Sequence, residues 1–293
     1  MKLSIQDLSD LCKLACEAAK KAGQLISEYS KKKIEVKRKE GGDSLASQVV
    51  TEVDLKSQKI ILDILQPSGD RYDLALLTEE SPDDKRRFEK DYFWCIDPLD
   101  GTLPFTEGTP GYAVSIALVS RKGVPQIGVV YDPVEHTLYS AIRGQGACRN
   151  QLSWSLEKRT GELLRVYNDR SFLKDSRYAK TMNGLESLAK ELGYTNIEHY
   201  TQLGAVKNAI SVLENAPAIY FKLSKPELGG GSLWDFAATA CIAIEAGAIV
   251  SDMNGNPLEL NRDDTTFMNR HGVIYASDQV LAKQFVNGLV IFP

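Results

Sequence analysis

The spacing of apolar residues along the chain predicts alternating helices and strands. An amphipathic helix is expected over residues 5–30, where apolar or small residues recur at helical intervals: Leu8, Leu11, Ala15, Ala18, Ala22, Leu25 and Tyr29. Further helices are expected over residues 51–65, 176–192, 205–215, 234–246 and 279–289. Short apolar or β-branched runs predict strands at 74–77, 92–96, 113–119, 126–131, 137–142, 218–223, 248–252 and 273–276. Helices alternating with strands, including an antiparallel meander, indicate a layered α+β fold.

Near residues 156–161 the predicted elements change from a meander of strands to helices that alternate with strands. We therefore expect an N-terminal α+β half over residues 1–156 and a C-terminal α/β half over residues 157–293. A length of 293 residues is sufficient for one large domain or for two such packed halves. The hydrophobic fraction of 43% and the charged fraction of 25% are ordinary for a globular protein and make disorder an unfavourable interpretation.

Charge and cysteine usage narrow the class of partner and the compartment. The formal net charge of −4 argues against a nucleic-acid polymer or a membrane surface as the main partner. The basic run over residues 31–39 is interpreted as a solvated helix end followed by an exposed strand. Acidic residues interrupt any apolar signal-peptide core near the start, and no apolar stretch approaches the length of a membrane span. Five cysteines without a C-x-x-C pattern indicate buried, reduced thiols and a cytoplasmic location.

Two aspartates flank a proline directly after the apolar run YFWCI, in the sequence WCIDPLDGT. Pro98 fixes its own φ and pushes Asp97 out of the helical region, while Gly101 permits close backbone approach. Asp97 and Asp100 can therefore both project from one tight turn at a strand end. Two such carboxylates repel each other, and a divalent cation such as Mg²⁺ would remove that penalty. The alternative is an ordinary surface turn.

Three other acidic elements have both a structural and a functional interpretation. Glu79 and Glu80 follow the apolar run LALL, where paired glutamates are most often a solvated loop. Asp235 begins an apolar helix, where an N-cap or a favourable helix-dipole charge is an equal alternative. Thr51 and Asp54 match the capping-box pattern [ST]-x-x-[DE]. None of these elements is specific on its own.

Taken together and in this order, the segments VTEVD, LTEES, DPLDGT and WD-x-AA followed by E-A-G resemble the inositol monophosphatase superfamily of lithium-sensitive, magnesium-dependent phosphatases. The resemblance covers nearly the whole chain and implies a layered α-β-α-β-α sandwich. It also implies two or three Mg²⁺ ions. Glu79, Asp97 and the backbone carbonyl of Leu99 would hold one ion, and Asp97, Asp100 and Asp235 would hold a second. A weaker third ion would lie near Glu79, with Glu80 behind the ligands.

By the same resemblance, Asp54 and Thr102 prepare the nucleophile. A threonine hydroxyl hydrogen-bonded to a carboxylate can orient and deprotonate a water molecule. The backbone amides of Gly101 and Thr102 would face the phosphate. Direct in-line attack by water is predicted, because the sequence offers no activated cysteine or histidine nucleophile. The segment after DGT, Leu103-Pro104-Phe105, departs from the family pattern, so substrate contacts are not carried over from this loop.

The substrate is predicted from the C-terminal half. Residues 254–277 resemble the bacterial 3'(2'),5'-bisphosphate nucleotidase branch in carrying a G-x-P-L segment, a Phe-x-Asn segment and a strand: Gly255, Pro257, Leu258, Phe267 and Asn269. Conversion of adenosine 3',5'-bisphosphate to AMP is therefore favoured over the inositol monophosphatase alternative and over a broader sugar phosphatase. A non-catalytic relative that binds metal or phosphate is the alternative of another class. The family resemblance allows a monomer or a homodimer.

Two further sequence features have ordinary interpretations beside functional ones. Lys207, Lys222 and Lys225 are candidates for a second phosphate or for surface charge. The segment GQGAC over residues 144–148 follows a meander and opens no helix, so a hairpin is favoured over a dinucleotide-binding loop.

Overall fold

The computed structural model describes residues 2–30, 36–38, 49–157 and 162–291. Within these ranges the helices are α1 Ile5–Tyr29, α2 Glu52–Tyr72, α3 Thr102–Glu107, α4 Tyr178–Glu191, α5 Ala205–Glu214, α6 Leu233–Ala246 and α7 Gln279–Ile291. The first strands are β1 Val36–Arg38, β2 Val49–Thr51, β3 Ala75–Thr78, β4 Tyr92–Asp100, β5 Ala113–Ser120, β6 Pro125–Asp132 and β7 Thr137–Ile142. The others are β8 Ala147–Arg149, β9 Leu152–Trp154, β10 Leu163–Tyr167, β11 Asn196–Tyr200, β12 Ala218–Lys222, β13 Ile249–Ser251 and β14 Val273–Ala276.

Two large sheets organise the molecule. The first has seven strands in the order β3-β4-β5-β6-β7-β8-β9, with β3 and β4 parallel and the other neighbours antiparallel. The second has five strands in the order β11-β10-β12-β14-β13, with β10 parallel to both β11 and β12. The short strands β1 and β2 form a separate antiparallel pair.

Apolar side chains join the helices and sheets into five layers. Along β4, Trp94 and Ile96 belong to the core shared with α1 and α2, whereas Phe93 and Cys95 belong to the core shared with α5 and α6. This alternation follows from the two-residue period of a strand that is buried on both faces. On the other side of α5 and α6 lies the five-stranded sheet, and α4 and α7 cover its outer face. The expected α-β-α-β-α arrangement is confirmed.

The predicted elements agree with the structure apart from several short or polar segments. Helix α2 continues past Pro67 to Tyr72, although the pattern predicted an end near residue 65. Five strands and α3 were not predicted: β2, β8, β9, β10 and β11 have three to five residues each, and α3 has six. Thr51, expected to begin the second helix, is the last residue of β2. Strand β11 is an edge strand whose burial alternates between partial and none, so it lacks an apolar run.

Some expectations concern residues that are only partly described. Val36–Arg38 forms a strand as expected, but the rest of the basic run 31–39 lies outside the described residues. The Thr51 side chain and residues 158–161, where the two halves were expected to divide, also lie outside them. The division at residue 156 therefore stays a prediction. In the described part of the chain, no helix is both long and apolar enough to cross a bilayer.

A buried ion pair fixes α5 against the seven-stranded sheet. The Lys207 ammonium lies 2.5 Å from the Asp132 carboxylate, and the two side chains are 10% and 3% exposed. Asp132 also accepts hydrogen bonds from the backbone amides of Val134 and Glu135, at 2.8 and 3.0 Å. Lys207 is therefore a structural cation, and the interpretation as a phosphate ligand is not supported, because it does not line the cavity described below.

Replacing Lys207 with methionine should destabilise the fold, because it leaves the Asp132 carboxylate buried without its counter-charge. We expect the free energy of unfolding to fall by about 3 kcal/mol for Lys207→Met. The double variant Lys207→Met/Asp132→Asn should recover much of that loss, since asparagine can still accept from the two amides. Urea denaturation followed by circular dichroism measures both values. Equal losses in the two variants would show that the pair's charge does not matter.

Candidate active site

The end of β4 places two aspartates on the same side of the sheet. Side chains three residues apart normally point to opposite faces of a strand. Here the pairing of β4 with β5 shifts register between Asp97 and Asp100. This irregularity interrupts the strict alternation of faces, so both carboxylates can lie on the same side of the sheet. The backbone amide of Leu99 donates to Asp97 Oδ1 at 3.0 Å, and Ser57 of α2 donates to the Pro98 carbonyl at 2.8 Å. The proline-containing turn is thus anchored both to Asp97 and to α2.

Gly101 allows the chain to turn from β4 directly into α3. Its φ of 82° lies in the left-handed region, and a Cβ added there would lie 2.6 Å from the carbonyl oxygen of Gly111. A larger residue would therefore be both strained and obstructed. Thr102 consequently becomes the first residue of α3, with its side chain buried.

Asp235 reaches the same place from the beginning of α6. It lies in the first turn of the helix and forms a capping box with Ser232, whose backbone amide donates to Asp235 Oδ2 at 3.0 Å. The expected N-terminal role of Asp235 is therefore present. Each of Asp97, Asp100 and Asp235 offers an oxygen within 4.8 Å of the other two, and the residues are 2%, 7% and 9% exposed.

Burial and mutual repulsion disfavour full ionisation of this cluster. Burial, followed by the charges of Glu79, Asp100 and Asp235, raises the pKa of Asp97 well above its usual range. Burial and the charge of Asp235 likewise raise the pKa of Asp100. Burial also raises the pKa of Asp235, although the charge of Lys222 and the Ser232 amide oppose that rise. Hard carboxylate oxygens brought together in this way suit a divalent cation, whose charge would offset the repulsion.

Asp100 also contacts the beginning of α5, a feature that sequence reasoning missed. Its two carboxylate oxygens accept from the backbone amides of Ala205 and Val206, at 3.2 and 2.9 Å. A Cβ at Gly204 would lie 2.3 Å from Asp100 Oδ2, so glycine is required for this approach. The hydrogen bonds favour the charged form of Asp100 and partly offset its burial.

Thr102 and Asp54 are brought together by α3 and α2. The Thr102 hydroxyl lies 3.5 Å from Asp54 Oδ1 and 3.3 Å from the carbonyl oxygen of Leu99. Asp54 lies in the first turn of α2 and is only 3% exposed. A hydroxyl held between a buried carboxylate and a carbonyl can pass a proton to the carboxylate, which is the arrangement that a general base requires.

Of the two predicted glutamates, one lies in the site. Glu79 follows β3, its backbone amide donates to the Ile96 carbonyl at 3.2 Å, and its side chain lines the cavity beside Asp97. Glu80 is half-buried, and the described lining of the cavity does not include it. Its role behind the ligands stays a prediction.

The cluster opens into a cavity of about 800 Å³. Leu99, Gly101 and Thr102 line it near the carboxylates. Charged residues line one part of its other walls: Asp169, Arg170, Lys174 and Lys222. Apolar residues also line them: Leu103, Leu203, Leu228, Trp234 and Phe267. Of the three lysines considered from the sequence, Lys222 therefore lines the cavity, whereas Lys207 and Lys225 do not.

The charged wall contains residues that sequence reasoning missed. The Lys222 ammonium lies 2.6 Å from the Asp169 carboxylate, which also accepts from the Tyr220 hydroxyl at 3.2 Å. The Arg170 guanidinium donates to both carboxylate oxygens of Glu107, at 2.7 and 2.8 Å. The segment NDRSFLK carries no local pattern that marks these positions. They reach the cavity because β10 and β12 are parallel neighbours.

Comparison with known proteins identifies a single family. The model of the inositol monophosphatase family matches residues 7–289. The chain is 32% identical over 250 residues to Nus factor SuhB of Escherichia coli K12, covering 83% of this chain and 85% of that protein. It is 30% identical over 286 residues to inositol monophosphatase 1 of Rattus norvegicus, covering 94% and 92%. The solved structure of inositol monophosphatase from Anabaena superposes with a TM-score of 0.71 at 23% identity, covering 98% of each chain.

Replacing Asp97 with asparagine should stabilise the protein when divalent cations are chelated. The raised pKa of Asp97 means that its charged form destabilises the folded state above the usual carboxyl pKa, so removing the charge should add about 1–2 kcal/mol at pH 8. The gain should shrink as the pH falls and vanish below about 4, where the carboxyl becomes protonated in both folded and unfolded chains. Thermal unfolding in EDTA measures it, with the exposed Asp70→Asn as control. A loss of stability at pH 8 would contradict the electrostatic argument.

Proposed function

The chain belongs to the inositol monophosphatase family, and we propose that it is a divalent-metal-dependent phosphatase that removes a phosphate from a small phosphate ester by direct attack of water. The observation that carries this proposal is the buried cluster of Asp97, Asp100 and Asp235. So many buried carboxylates destabilise a fold unless a cation compensates for them. A metal-dependent phosphatase also uses such a cation in catalysis. A bound cation would therefore both compensate the negative charge of the carboxylates and take part in phosphate hydrolysis.

We propose Mg²⁺ as the cation and the sequence-predicted residues as its ligands. Glu79, Asp97 and the Leu99 carbonyl would hold one ion, Asp97, Asp100 and Asp235 a second, and Glu79 would lie beside a weaker third. The ions would acidify the attacking water and neutralise the phosphate oxygens. The all-oxygen donor set and its burial support the assignment.

The other residues of the site would move the proton and hold the phosphate. The Thr102 hydroxyl would orient the water and pass its proton towards Asp54, which is supported by their 3.5 Å separation. The water oxygen forms the new bond to phosphorus as the ester P–O bond breaks in line with it, and the departing oxygen takes up one proton to leave as an alcohol. The backbone amides of Gly101 and Thr102, where α3 begins, would donate to the phosphate oxygens.

For the substrate, we propose adenosine 3',5'-bisphosphate, which would yield AMP and phosphate. The cavity wall includes Leu228, Trp234 and Phe267, which suit a nucleobase better than a polyol ring, because hydroxyl groups need polar partners. Lys174 lines the cavity and supplies positive charge for a second phosphate, and Arg170 and Lys222 line it too, paired with Glu107 and Asp169. The volume of about 800 Å³ accommodates a nucleotide.

A second candidate substrate is inositol monophosphate. It is favoured by the 30% identity with rat inositol monophosphatase 1 over 94% of this chain. The relatives named Nus factor SuhB carry a name that states no substrate. They keep open the alternative of a non-catalytic role, in which the site would bind metal or phosphate without turnover.

We also propose a cytoplasmic location and a monomer or homodimer that acts on a small molecule. All five cysteines are free, and Cys12, Cys95 and Cys241 are buried. Buried, unpaired thiols are usual in a reducing compartment.

Phosphate release from a substrate panel tests the function directly. We expect release only with added Mg²⁺, and faster release from adenosine 3',5'-bisphosphate than from inositol 1-phosphate or fructose 1,6-bisphosphate. EDTA should stop the reaction, and Mg²⁺ in excess should restore it. Release from none of the three would favour the non-catalytic alternative. Comparable release from all three would refute the nucleotide preference while leaving the phosphatase intact.

Replacing Thr102 with valine should slow turnover without unfolding the protein. Valine matches threonine in shape but cannot pass a proton, so kcat should fall about 100-fold or more. Thr102→Ser keeps the hydroxyl and should retain most of the activity. Steady-state kinetics measure both variants, and thermal unfolding confirms that each is folded. If the valine variant kept wild-type kcat, the proposed proton path would be wrong.

A further inference from the structure

A short antiparallel contact places Phe267 at the rim of the cavity. Phe267 forms an isolated bridge with Ser232, the residue that precedes α6. On either side, the Leu233 amide donates to the Thr266 carbonyl and the Met268 amide donates to the Gly231 carbonyl, both at 2.9 Å. The position of Phe267 is therefore fixed by the two hydrogen bonds that make up this bridge, and Phe267, which is half-buried, lines the cavity.

The same contact sets the separation between Phe267 and the carboxylates. Ser232 donates through its backbone amide to Asp235 Oδ2 at 3.0 Å. Paired residues in an antiparallel contact have α-carbons about 5 Å apart. Phe267 is thus paired directly with Ser232, the residue that caps Asp235. An aromatic ring at this distance can reach the base of a nucleotide whose phosphate lies at the carboxylates.

Leu228 is held at the rim by the same segment. The Lys225 amide donates to the Asn269 carbonyl at 2.8 Å, and the Asn269 side-chain amide donates to the carbonyls of Lys225 and Pro226, at 3.1 and 3.4 Å. Asn269 is 5% exposed, so this contact is largely shielded from water. At the other end of this loop, the Met268 amide donates to the Gly231 carbonyl. The loop that carries Leu228 is therefore hydrogen-bonded at both ends to the segment that carries Phe267.

A leucine that is 60% exposed at a cavity rim suggests a ligand contact. An isolated exposed leucine is ordinary on a protein surface. This one, however, lies in the lining of the same cavity as an aromatic ring, on a loop that is hydrogen-bonded at both ends. A flat aromatic ligand would cover both side chains, whereas a polyol would leave its hydroxyls against apolar carbon.

We propose that Phe267 and Leu228 form a base-binding subsite that contacts the nucleobase of the substrate, with Phe267 stacking on its face. The subsite is separate from the carboxylates that act on the phosphate. It rests on the nucleotide substrate proposed above. Stacking on an aromatic side chain is tolerant of base identity, because every base presents a π face. The subsite should therefore accept other purine nucleotides with small differences in affinity.

Variants of Phe267 test the subsite through binding and turnover. In Phe267→Leu the ring is lost but apolar bulk remains, and KM for adenosine 3',5'-bisphosphate should rise about tenfold with little change in kcat. AMP binding by calorimetry should weaken by a similar factor. Hydrolysis of glycerol 2-phosphate, which has no base, should lose much less than hydrolysis of adenosine 3',5'-bisphosphate. Phe267→Tyr keeps the ring and should behave as wild type, and Val280→Ala, an exposed apolar truncation on α7, controls for unspecific effects.

The outcomes separate this inference from the proposed function. Unchanged nucleotide KM and AMP affinity in Phe267→Leu would overturn the subsite, even if the wild type prefers the nucleotide. An equal loss on glycerol 2-phosphate would also overturn it, since the effect would then not involve the base. If the wild type binds AMP in a Phe267-dependent way but does not hydrolyse adenosine 3',5'-bisphosphate, the subsite stands and the proposed reaction fails.

Discussion

The repulsion among three buried carboxylates is the constraint on which the rest of the site depends. Asp97, Asp100 and Asp235 come from two distant segments, and each would be more stable in water than beside the others. Each accepts at least one backbone hydrogen bond: from Leu99, from Ala205 and Val206, and from Ser232. Such bonds contribute about 1.5–3 kcal/mol each when the acceptor is charged, whereas removing a charge from water costs several kcal/mol. The backbone thus holds the oxygens in position, and a bound cation would supply the remaining compensation.

The layered architecture explains why these segments can meet. Helices α5 and α6 lie between the two sheets, and both begin at the carboxylates. Their N-terminal amides bring positive potential to a place crowded with negative charge. The approach requires backbone contact without side chains: Gly204 has no room for a Cβ beside Asp100, and its amide donates to the Gly111 carbonyl, which likewise excludes a Cβ at Gly101. Gly101, Gly111 and Gly204, from three different loops, therefore allow the end of β4 to contact the beginning of α5.

The sequence predicted the site residues that lie in recognisable local patterns, and it missed those that reach the site only through contacts between distant segments. Asp97 and Asp100 lie in one turn whose local chemistry predicted a metal site, whereas Asp235 was assigned through the family resemblance, because the first turn of an apolar helix suits an N-terminal charge equally well. Asp169 and Arg170 follow a short strand that the pattern did not predict, and they meet the cavity only through the pairing of β10 with β12. The contact between Asp100 and α5 joins residues more than a hundred positions apart. Periodicity carries no information about such a contact, because it depends on how the layers are stacked.

The cavity divides into a part that is fixed by the core and a part that is carried by loops. The carboxylates are attached to β4 and to the helices between the sheets, where neighbouring side chains are fully buried. The opposite walls come from the segments after β10 and β12 and from Phe267, and side chains that line them, such as Arg170, Lys174 and Leu228, lie outside the apolar core. Exposed loops tolerate substitution far better than a packed core does. A chain with this fold can therefore change the group it accepts beyond the phosphate without disturbing the carboxylate cluster, so family membership specifies the reaction more firmly than the substrate.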